Sequence, residues 1–134
     1  MTKLLIPFLS AILFMAACTT TNQKDEIIKA VIAVHDEVMP KMGEMRSTSK
    51  SLRSLAGEKL SATDTLGAAS LTQAADALDA ANQSMMDWMH NFDPNYTGTQ
   101  EEVIGYFTDE KTKITGVRDE MNQALEKGKS LLAQ

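Results

Sequence analysis

Cysteine is nearly missing from this chain. One residue, Cys18, stands among 134, so no intrachain disulfide, dithiol redox couple or thiolate cluster for a metal can form. Aromatics amount to four Phe, two Tyr and one Trp, and Val and Ile are sparse, whereas Ala, Met, Leu, Glu and Lys dominate. That mixture favours helix over strand. After Asp25 an Asp, Glu or Lys recurs every few residues, so no later segment offers the ~20 apolar residues of a membrane-crossing helix. No phosphate loop, zinc spacing or calcium loop is present, and no fixed-period repeat or long low-complexity tract. The formal charge is −5; an acidic surface argues against nucleic acid and against electrostatic attachment to anionic lipid.

The start of the chain is organised differently. Met1-Thr2-Lys3 is followed by an apolar run from Leu4 to Met15 and then by Ala16-Ala17-Cys18. The run is too short to span a bilayer, and Pro7 interrupts it. The layout resembles a bacterial lipoprotein signal: a basic start, an apolar stretch, and small residues ahead of a cysteine. Met15 departs from that family, which usually has Leu, Val or Ile there. The resemblance implies a signal peptide over 1–17 and lipidation of Cys18 as the mature N-terminus. It also implies membrane attachment through the acyl chains, each buried methylene adding ~0.8 kcal/mol. Thr19, where aspartate would retain the protein in the inner membrane, implies the periplasmic face of the outer membrane. Losing Lys3 with the leader takes the formal charge from −5 to −6.

Residues 18–24 are polar and lack apolar periodicity, so they are expected to form a lipidated tether, with the folded domain over 25–134. Three amphipathic helices are expected in that domain. The first carries Ile28, Val31, His35, Val38, Met42, Met45, Ser49, Leu52 and Ala56 on one face, with Asn22 as its cap and Gly57 as its stop. Pro40 falls inside the pattern and either kinks this helix or divides it near Met39; the seam stays in phase through Leu52, which favours the kink. The second helix runs from about Thr63 to Asn91 with Leu71, Ala75, Leu78, Asn82, Met85 and Met89 on its seam. Alanines keep it thin. Asn91–Gly98 is a loop by composition, and Thr99 with Glu102 forms a capping-box signature. The third helix presents Phe107, Lys111, Ile114, Arg118, Met121, Leu125, Gly128 and Leu132 at heptad spacing, with Ile104 and Val117 broadening the stripe. The expected fold is an all-α, antiparallel up-down-up three-helix bundle. A partner-dependent coiled coil is the alternative, and a homo-oligomer could form through a seam.

Antiparallel pairing of the first two helices brings His35 level with Met86, and Met39 level with Asn82. One end of the bundle then collects His35, Met39, Met85, Met89 and His90. Thioether and imidazole donors suit copper(I), and Met39-x-x-Met42-x-x-Met45 has the spacing of methionine-rich copper motifs. These five residues are the candidate metal ligands, and copper(I) is the only cofactor the sequence raises. Packing explains them more simply: methionines fill irregular core gaps, His35 can sit hydrogen-bonded on the apolar face, and His90 complements a helix C-terminus.

Catalysis finds no support, since no nucleophile, base and orienting group share a recognisable pattern. Asp64-Thr65-Leu66 resembles a short O-glycosylation signal of some Gram-negative periplasms, which would modify Thr65; a helix cap explains the same residues. Val34-His35-Asp36-Glu37-Val38-Met39-Pro40-Lys41-Met42-Gly43, together with Met85-Met86-Asp87-Trp88-Met89 and Phe92, is similar to small helical lipoproteins of Bacteroidota-type envelopes. Some of those carry the label viral A-type inclusion protein. That resemblance implies an envelope lipoprotein and brings no activity to transfer. The function expected is non-enzymatic, an interaction or structural module whose partner is an envelope protein.

Overall fold

The computed structural model describes the backbone of residues 16–134 and the side chains from Gln23 onward. Among the described residues every regular element is helical: α1 Ala16–Val38, α2 Lys41–Ser61, α3 Thr65–Asn91 and α4 Gln100–Leu132. The fold is an all-α three-helix bundle in which α1 and α2 are the two limbs of one long, kinked helix.

The kink has a simple cause. Pro40 keeps helical dihedrals (φ −62°, ψ −24°), but it has no N–H to give to the carbonyl of Asp36. Across the break only two backbone bonds remain, Met39 N–H to the His35 carbonyl at 3.0 Å and Met42 N–H to the Met39 carbonyl at 3.2 Å. The apolar face survives it: Val31, Val38, Met42, Met45, Ser49, Leu52 and Ala56 are all buried, and His35 is partly so.

Two boundaries differ from expectation. Gly57 does not stop the helix; α2 continues to Ser61, with open space where a Gly57 Cβ would project. The stop comes at Thr63, whose φ of +62° reverses the chain before Asp64 caps α3. At the other end, α1 begins at Ala16, so the segment 18–24 expected as an extended tether is helical, and Asn22 lies inside the helix and not at its cap.

α2 packs antiparallel on α3, where the Ser49 hydroxyl donates to the Ala75 carbonyl at 3.3 Å. α4 runs antiparallel to α3 and parallel to α1 and α2. Its register shows in Lys41 donating to Asn122 at 2.7 Å and Lys129 to Glu44 at 2.8 Å. Gly128 lets this approach close, since a Cβ there would meet Thr48, Leu78 and Leu52 at 2.9, 3.0 and 3.3 Å. The end of α4 is therefore level with the middle of α2, and the α2–α3 hairpin outruns it.

The α4 seam needs a correction. Lys111 is exposed; Glu110 is buried in its place, and Val117 is partly buried beside Arg118. The buried stripe is Val103, Phe107, Glu110, Ile114, Met121, Ala124, Leu125 and Gly128, with Val117 partly buried on it, so Phe107, Ile114, Met121, Leu125 and Gly128 lie where expected. The Glu110 carboxylate is met by Lys113 at 2.7 Å, a hydrogen bond that raises the lysine's pKa. Arg118 stays at the surface between Asp119 at 2.8 Å and Glu37 at 4.0 Å. Leu132, also expected on the seam, is exposed.

Candidate functional site

The end of the bundle near the α3–α4 loop is built from rings. His35 lies 5.8 Å from Trp88, Trp88 stacks on Phe92 at 4.8 Å, and Phe92 meets Phe107 edge-on at 6.2 Å. Tyr106 continues the series to Phe107 at 5.1 Å and to Tyr96 at 4.2 Å. The His35 Nδ1 pairs with Asp36 Oδ1 at 2.9 Å. Every aromatic residue among the described ones belongs to this ladder. It fastens α1, α3, the loop and α4 together.

His35 faces Trp88 where Met86 was expected, a shift of two residues in register. Met85 is fully enclosed in the core, Met39 and Met89 pack against it from partly buried positions, and Met86 is half exposed. His90 is exposed on the last turn of α3. The five candidate ligands are thus divided between interior and surface, with His35, Met39 and Met89 on the margin between them. Among the described residues no three His, Cys, Asp or Glu side chains are grouped to hold a metal ion.

Cys18's side chain and residues 1–15 of the expected leader 1–17 lie outside the described residues. Thr65 is exposed at the first position of α3. Its neighbour Asp64 accepts from the Gly67 N–H at 2.9 Å, and Lys59 lies 3.4 Å from the second carboxylate oxygen. The Gly67 bond, helped by Lys59, holds the Asp64 pKa below the usual carboxylate range. A Cβ at position 67 would push the Asp64 carboxylate out of this cap.

Two shallow grooves flank α4. One, of about 450 Å³, lies along α2 beside Lys41, Glu44 and Lys129; the other, of about 490 Å³, lies along α3 beside Ala77, Ala81 and Ser84.

The charge distribution supplies a feature that motif reading passed over. α2 carries Lys41, Arg46, Lys50, Arg53 and Lys59 against Glu44 and Glu58, whereas α3 has Asp76, Asp79 and Asp87 and no Lys or Arg. On the outer face of this hairpin Arg53 reaches Asp76 at 2.8 Å and Asp79 at 2.6 Å. Those bonds, Asp79's first, raise the arginine's pKa. Burial works to raise the Asp79 pKa, but the Arg53 hydrogen bond and charge help hold it below the ordinary range. Among the described residues Arg46 and Lys50 have no ion-pair partner, and both are exposed.

No protein-family model matches the chain, and no curated protein or solved structure matches it. No described helix is long and apolar enough to cross a membrane.

Proposed function

We propose that the protein is a lipid-anchored envelope protein, held at Cys18 on the periplasmic face of the outer membrane, that works without catalysis by presenting a helical bundle to other proteins. The box Met15-Ala16-Ala17-Cys18 after a short apolar run carries the anchoring part. The interaction part is supported by exposed cations on one side of α2, Arg46 and Lys50, that have no ion-pair partner among the described residues. Labelling with palmitate in a bacterial host tests the anchor. Incorporation abolished by Cys18→Ser is the expected result, and an unlabelled chain with its leader intact would refute it. Crosslinking in isolated envelopes then tests contact with other proteins.

A second reading, a periplasmic copper(I)-binding protein, draws on His35, Met39 and Met89 lying partly buried at the edge of the core. Thioethers and an imidazole are suitable donors for that ion.

A further inference from the structure

The outer face of the α2–α3 hairpin is charged in two columns. Arg46, Lys50 and Arg53 stand at i, i+4 and i+7 on α2, one side of a helix. Asp76, Gln83 and Asp87 stand at i, i+7 and i+11 on α3, again one side of a helix, and the Arg53 ion pairs with Asp76 and Asp79 show that the two columns adjoin. The relief of the face is low: Gly43 and Gly57 have open space around them, and Ala69 and Ala80 are exposed on the α3 side.

We propose that this face docks a second copy of the chain through a twofold axis running parallel to the helices. The charges select that axis. Rotation about it lays α2 of each copy on α3 of the other, basic column on acidic column, twice over in one isologous contact. An axis across the helices would instead set α2 on α2 and α3 on α3, like charge on like.

Heights also agree. A pure twofold rotation leaves each residue at its own level along the axis, so the intrachain register carries over. Arg53 is level with Asp76 in its own chain; stepping back along α2 to Lys50 and Arg46 means stepping forward along α3 to Asp79 and Gln83. Lys50 therefore meets Asp79 of the second copy. Arg46 meets the turn holding Gln83 and Asp87, where the only bond to the Asp87 carboxylate comes from Gln83 of the same chain. The two unpaired cations thus find acids at the right level. Both copies then point the same way, with their N-terminal ends together, as two chains anchored in one leaflet must. That last agreement rests on the anchor proposed above; the pairing itself does not.

Attraction of this kind is screened by salt over a Debye length of ~10 Å, which makes the test direct. The full chain in neutral detergent micelles is examined by sedimentation at low and high salt. Dimers at low salt that dissociate at high salt are expected. Arg46→Glu with Lys50→Glu should give monomers, and so should Gln83→Lys with Asp87→Lys. Mixing these two variants should restore a dimer, because each supplies the sign the other lacks. All four positions are exposed, and circular dichroism checks that each variant stays helical. A wild-type monomer at low salt, a dimer indifferent to salt and to charge reversal, or a mixture that stays monomeric would overturn the proposal. Palmitate labelling reads the anchor separately, so either idea can fail alone.

Discussion

Trp88 stacks on Phe92 at 4.8 Å and is 7% exposed, while its indole Nε1 has no protein partner. The ring is held by area and stacking alone. As the single tryptophan it reports on this end of the bundle, and its emission should be that of a buried indole. Trp88→Ala should cost about 3–5 kcal/mol, the range for emptying a large aromatic from a core. Trp88→Phe should cost much less, because no hydrogen bond is lost. Urea unfolding followed by circular dichroism measures both; equal losses would show that Nε1 is bonded after all.

Asn82 sits in the core at 8% exposure, and neither its Oδ1 nor its Nδ2 has a protein partner. Leaving buried polar groups unpaired costs about 1–3 kcal/mol. Asn82→Leu, close in size and apolar, should therefore raise the unfolding free energy by about that amount, seen as a higher urea midpoint with unchanged slope. A lower midpoint would mean that the amide is satisfied in solution.

The start of α4 is a reciprocal cap. The Glu102 N–H donates to Thr99 Oγ1 at 3.3 Å, and Glu102 Oε2 accepts from the Thr99 N–H at 2.7 Å and its hydroxyl at 2.9 Å. The backbone bond first, then the hydroxyl, lowers the Glu102 pKa, as the Gly67 N–H does for Asp64 at α3. A carboxylate with a depressed folded pKa binds fewer protons folded than unfolded. Its contribution is complete above the unfolded value, about 4.3 for glutamate, and disappears as pH falls through the folded value. Stability should fall on acidification below about pH 4.5. Thr99→Ala should cost about 1 kcal/mol at neutral pH and make that acid decline shallower.

Copper(I) separates the two functional readings. Anaerobic titration should give no saturable binding if the methionines serve only to pack. Saturable binding that is lost in Met39→Leu with Met89→Leu would establish the metal reading instead.

The first apolar face was legible because its 3–4 spacing is unbroken: from Val31 to Ala56 it names every buried residue but Thr48, with only His35 part-exposed. The cap at Thr99 was equally legible, being a local pattern with a local cause. α4 was harder. Its stripe is broad, and a period near 3.5 does not separate adjacent positions such as Glu110 and Lys111 or Val117 and Arg118. Gly57 misled because one glycine costs a helix only ~1 kcal/mol, and its φ is not positive, so it does not take up the left-handed turn of a helix stop. The charged hairpin face has no motif at all. It emerges only when residues are sorted by helix side, and that sorting needed the Arg53 pairing to Asp76 and Asp79.

The hairpin that outruns α4 has a dynamic consequence. Past the level of Leu52 the turn is sheltered by two helices in place of three, and Leu60 and Leu66 stay 56% and 85% exposed. Segments with few enclosed neighbours open at a smaller free energy than the whole molecule. Amide protons around Ala62 should exchange well before those beside Met45 and Ile114, so this tip is the part of the protein that unravels first while the rest remains folded.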